Sequence, residues 1–138
     1  MAHTRADDDA ELAALRRLGE LEQHENKVYR RLLGLLVNKK AWDEAVKIGD
    51  VAIYADTEGF TTHRLFGEAL AQTGNQQRAV FELESALLSQ AEPQELAETE
   101  TRLAGLYAGA GRGRDAAKAR KRAQELTAAA AVAPTAAP

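Results

Sequence analysis

Three glycines fall within five residues of "GAGRGRDAAK", residues 109–118, and arginines and a lysine follow. Glycines next to bases suggest a phosphate cradle, because glycine lets backbone amides approach an anion closely. The spacing denies that chemistry. A Walker-type loop needs a second glycine five residues after the first, then lysine and a hydroxyl residue, but counted from Gly109 those places hold Arg114, Asp115 and Ala116. The dinucleotide fingerprint G-x-G-x-x-G fails as well, since its third glycine would be residue 114. The stretch before the loop, "TETRLAGLY", is patterned as a helix and not as a strand. The glycines therefore read as the end of one helix and the bend into the next.

The remaining reactive side chains do not assemble either. His3, His24 and His63 lie far apart and form neither an i, i+4 pair nor an HExxH motif. Ser85 and Ser89 lack a nucleophile elbow. Glu82 and Glu84 point to different helix faces, whereas glycosidase work needs two carboxylates converging in a cleft. Asp7, Asp8 and Asp9 suit the positive end of a helix dipole better than a metal ion. With no cysteine, disulfides, thiolate metal sites and thiol nucleophiles are excluded. We expect no enzyme activity, cofactor or metal.

The elements around these residues are all helical. Leucines at 12, 15, 18 and 21 mark a leading helix. A second helix is expected from Asn26 to Asn38, burying Val28, Leu32, Leu35 and Leu36, and a third from Ala41 to Tyr54 with Trp42, Ala45, Val46 and Ile53. Leu65, Phe66, Ala69 and Leu70 belong to a fourth; Ala79, Val80, Leu83, Ala86 and Leu87 to a fifth. Pro93 suits the first turn of a sixth, and the seventh starts near Arg114. Every spacing is of the i, i+3, i+4 kind, without strand-like alternation. The closing "TAAAAVAPTAAP" has little to bury and is expected to fray. The domain plan is a leading segment 1–25, a repeat domain 26–127 and a disordered Ala/Pro tail 128–138.

Internal repetition is the strongest signal. In "NKKAWDEAVKIGDVAI", "QTGNQQRAVFELESAL" and "GAGRGRDAAKARKRAQ", a polar or glycine-rich bend precedes a small residue: Ala45, Ala79 and Ala116. A second small residue follows seven positions on, at Ala52, Ala86 and Ala123. Position 45 to 79 spans 34 residues and 79 to 116 spans 37, the extra three fitting "SQAEPQE".

This pattern resembles the tetratricopeptide repeat, a helix–turn–helix unit with small residues where its helices cross. Gly67, Leu70, Gly74, Ala79 and Ala86 fall on its positions in the second repeat, and Ala104, Tyr107, Gly111, Ala116 and Ala123 in the third. The first repeat departs, with Leu33, Leu36 and Lys40 for the small residue, the aromatic and the turn glycine, although Trp42 fits. The resemblance covers about Asn26 to Leu126. It implies an all-α, right-handed superhelix of about three repeats behind an extra N-terminal helix, some seven helices in all. It also implies a non-catalytic protein-binding scaffold, whose first helices line a concave, peptide-holding groove. The positions so implied are Lys27, Arg30, Arg31 and Asn38, then Arg64, Glu68 and Gln72, then Arg102. Some members hold a chaperone's C-terminal carboxylate in a clamp of bases and asparagines. Here those places read Arg30, Gly34, Leu65, Glu98 and Arg102, which disfavours that ligand.

The groove's basic first half points to an acidic or extended peptide of an unidentified partner. Two other readings stay open: an oligomerisation or accessory domain of a larger protein, and nucleic-acid binding through the last helix. For the latter, residues 112–122 carry six bases and Asp115 alone, facing six glutamates in 82–100. No aromatic is interleaved for base stacking, and ion pairs between neighbouring helices would account for both runs. Phe81 is expected to face solvent where the other repeats carry Lys47 and Lys118, as a self-association contact, a domain-packing site or a cover for the linker after Gln90. The formal charge of −3 offers no general attraction for nucleic acid or acidic membranes. No run approaches the length of a membrane span. The start lacks a secretory signal, so a cytoplasmic location is expected.

Overall fold

In the computed structural model, the described residues are 5–21, 26–55 and 59–132, the side chains of 18–21, 26 and 55 excepted. They form seven helices and no strand: α1 (Arg5–Leu21), α2 (Asn26–Asn38), α3 (Trp42–Ala55), α4 (Phe60–Gln72), α5 (Gln76–Ala86), α6 (Pro93–Gly109) and α7 (Gly113–Val132). His3, His24, the side chains of Leu18 and Leu21, and the tail from residue 133 lie outside the described residues.

Three bends share one backbone. At the end of α2 the amide of Ala41 donates to the Leu36 carbonyl at 2.9 Å; Asn75 donates to Leu70 at 2.9 Å and Arg112 to Tyr107 at 2.8 Å in the same way. Each bond closes a six-residue turn over a residue with positive φ: Lys40 at 58°, Gly74 at 89° and Gly111 at 76°. This arrangement satisfies carbonyls left over at a helix end, and it requires the left-handed region that glycine enters freely. Lys40 occupies it without glycine's freedom. The next helix then starts alike in each repeat, with Ala45, Ala79 and Ala116 donating to Ala41, Asn75 and Arg112.

The bends fold α2 on α3, α4 on α5 and α6 on α7; contacts of α3 with α4, α2 with α4 and α5 with α6 join the hairpins. Ala45, Ala79 and Ala116 are buried at these crossings, as are Ala52, Ala86 and Ala123. Their lack of bulk lets the helices close up. Phe66, Leu32, Leu33, Leu36, Leu70, Leu83 and Leu103 fill the space between. Full burial of such side chains contributes roughly 1.5–3 kcal/mol each. Two glycines allow a closer approach than alanine would. A Cβ on Gly67 would stand 2.8 Å from Leu83, and one on Gly49 only 2.3 Å from the Phe66 ring.

The first helix is more than a charged leader. Leu12 is buried, Leu15 packs on the core, and Arg16–Glu44, Arg31–Glu11 and Lys39–Asp9 ion pairs tie α1 to α2, the bend and α3. At the other end α7 runs on through Ala128–Val132, residues expected to fray. Alanine is the best helix former, and the first residue able to stop the chain is Pro134.

Candidate functional site

Residues of α2 and α4 line one hollow, Glu68 of α4 pairs with Arg102 of α6, and the charges expected to share a groove divide into these two groups. In the first, Lys27, Arg30, Arg31 and Asn38 line a hollow of about 320 Å³ with Gly34, Leu35, Thr61 and Leu65. Spacings of three, four and seven residues bring Lys27, Arg30, Arg31 and Asn38 to one side of α2. Leu35 and Leu65 are buried beneath them. Arg31 also gives 2.8 Å contacts to Glu11, so part of its charge is neutralised by α1.

The second group is self-contained. Arg102 Nε donates to Glu68 Oε2 at 2.8 Å, its NH2 nitrogen to Oε1 at 3.2 Å, and Gln72 adds a bond to Oε1 at 2.9 Å. Burial raises the Glu68 carboxyl, but the Arg102 and Gln72 hydrogen bonds and the charges of Arg102 and Arg64 outweigh it. They hold the group below its ordinary value. Glu68, Gln72 and Arg102 therefore fasten the third hairpin to the second. Arg64 acts on Glu68 through its charge from the same helix.

The basic run of α7 is partly absorbed by its neighbours. Arg122 donates to the buried Glu100 at 2.9 Å, Arg112 to Asp115 at 2.8 Å, and the Arg112 guanidinium also stacks 4.5 Å over Tyr107. Arg114, Lys118, Arg120 and Lys121 stay exposed. Burial, followed by the 2.7 Å bond that Tyr107 donates to Glu84, pushes the Tyr107 phenol up to about 12.

A further feature escaped the sequence. Ile53, Tyr54, His63, Phe81, Glu82, Ser85 and Leu88–Gln90 line a cleft of about 760 Å³ across the ends of α3 and α5. On its floor His63 Nδ1 lies 2.7 Å from Glu82 Oε2, with Glu82 buried. Deleting the histidine would cost the buried Glu82 this hydrogen bond, at about 1–3 kcal/mol. The signal was weak: a lone histidine on α4 and a glutamate on α5, 19 residues apart. Phe81 is exposed, as expected. Among the described residues no group of three metal-ligating side chains converges, and no helix is long and apolar enough to cross a membrane.

No protein-family model matches the sequence, and no curated protein matches it. Solved structures of MamA share the fold. One crystal structure of MamA superposes with a TM-score of 0.82 at 15% identity, over 90% of this chain and 71% of that one. MamA MSR-1 gives 0.75 at 23% over 88% and 68%, and MamA from Desulfovibrio magneticus RS-1 gives 0.77 at 14% over 90% and 68%. At such identities the likeness is one of fold, an all-α superhelix of tetratricopeptide-like hairpins.

Proposed function

We propose that this chain is a non-catalytic protein-binding scaffold whose inner face takes an acidic, extended peptide. The carrying observation is the hollow on α2, where Lys27, Arg30, Arg31 and Asn38 surround an apolar floor. Peptide carboxylates would meet the bases, and an apolar side chain between them would cover Leu35 and Leu65. The self-satisfied Glu68–Arg102–Gln72 group bounds the site on the α6 side and adds a polar wall without a free charge. In this reading residues 26–127 are the repeat domain, α1 is a cap, and the scaffold works in the cytoplasm. Attachment to a larger protein is compatible with all of it.

The test is fluorescence anisotropy with a labelled 12-residue peptide alternating glutamate and leucine. Arg30→Glu combined with Arg64→Glu should weaken its binding tenfold or more, and raised salt should weaken the wild type in the same direction. Equal binding by the double variant would remove the groove assignment.

A further inference from the structure

The exposed large apolar side chains are not scattered. Among the described residues they are Val51 (43% exposed), Tyr54 (81%), Phe81 (62%), Leu88 (90%) and Val132 (80%), and the first four belong to the second helices of repeats one and two, or to the turn just after. Register makes the grouping sharper. Leu88 lies 34 residues after Tyr54, the same repeat position, and Phe81 occupies the position of Lys47 and Lys118. In the third repeat the places of Phe81, Ser85 and Leu88 hold Lys118, Arg122 and Glu125. The apolar strip therefore stops where α7 begins to present charge.

Tyr54, Phe81 and Leu88 stand on the rim of the 760 Å³ cleft, with the Glu82 carboxylate in its floor. Among the described residues no lysine or arginine lines it. Glu84 and Glu92 are exposed and lie in the chain just before and just after the lining residues Ser85 and Leu88–Gln90, Glu84 also accepting the Tyr107 hydroxyl. Exposed apolar groups that cluster around a cleft mark an interaction surface. The surrounding sign selects the occupant: its buried side must be apolar and its flanks cationic.

We propose that this cleft docks a cationic amphipathic helix from a partner protein, with two or three apolar side chains at i, i+3/i+4 and i+7 seated among Tyr54, Phe81 and Leu88. Lysines or arginines beside them face Glu84 and Glu92. The site is separate from the basic hollow and opposite to it in charge preference.

Two labelled 14-residue model helices with the same leucine spacing serve as probes, one with lysine at every polar position and the other with glutamate. Phe81→Ser with Leu88→Ser leaves the net charge unchanged and alters only exposed side chains, so circular dichroism should stay as in the wild type. The pair of substitutions should weaken the leucine–lysine helix tenfold or more and leave the leucine–glutamate helix unaffected. Arg30→Glu should leave the leucine–lysine helix bound as before. Undiminished binding of the leucine–lysine helix to the serine variant would mean general charge attraction and overturn the proposal. So would a wild-type dimer in sedimentation that the serine variant abolishes, since a second copy would then fill the cleft.

Discussion

The first and second repeats turn through the same bend with different residues. Both close it with a 2.9 Å bond from the residue after the left-handed position, Ala41 to Leu36 and Asn75 to Leu70. Yet one places Lys40 there and the other Gly74. Their close contacts differ too: Gly67 makes room for Leu83 within its own hairpin, while Gly49 admits the Phe66 ring from the next. The backbone of the repeat is set by hydrogen bonding and by the small residues at helix crossings. Individual positions can depart from the pattern provided their neighbours absorb the departure.

The largest effect expected from breaking this comparison is at Gly49. Alanine would gain about 1 kcal/mol of helix propensity there, but its Cβ would enter a rigid ring. We expect Gly49→Ala to lower the unfolding free energy by about 2–3 kcal/mol in urea denaturation. Gly67→Ala should cost less than half as much, because the flexible Leu83 side chain can move. Equal costs would mean that the two contacts are not of different kinds.

The bends offer a smaller, signed test. Gly74→Ala forces an L side chain into the left-handed region and should destabilise by about 1 kcal/mol. Lys40→Gly relieves that strain and should stabilise by about 0.5 kcal/mol, the relief being partly offset by glycine's greater freedom when unfolded. Thermal melts of both read the difference; a loss of stability in Lys40→Gly would show that the lysine side chain supports its bend.

The smallest effect is confined to alkaline solution. A free tyrosine loses its proton near pH 10.0, but folded Tyr107 holds it to about 12. The unfolded chain thus binds fewer protons in this window, so the contribution is complete below pH 10 and falls away as pH rises through 12. Tyr107→Phe should lose less stability than the wild type between those values. Parallel losses would deny the bond to Glu84 a role in holding the proton.

Much of the architecture was legible in the chain. The bounds of α2 are those its periodicity gives, and Lys40, Gly74 and Gly111 occupy the bends at the spacing of the alanines. These features are local, and each hairpin writes them separately. Contacts between hairpins were not legible. Nothing around Gly49 announces Phe66, and His63 shows its partner only once α4 lies against α5. The candidate groove was readable as a set of basic positions on α2. Its division was not, because Glu11 reaches Arg31 from a helix outside the repeats and Glu68 meets Arg102 from 34 residues away. Tyr54 and Leu88 also escaped notice, since exposed apolar residues form no pattern until two helix ends are side by side.

One titration goes to the centre of the account: amide chemical shifts of the isotope-labelled protein followed residue by residue as the glutamate–leucine 12-mer is added. The scaffold reading expects changes concentrated at Lys27, Arg30, Asn38 and Leu65, with α7 unmoved. Shifts confined to Arg114, Lys118 and Lys121, or spread evenly over every basic residue, would contradict it.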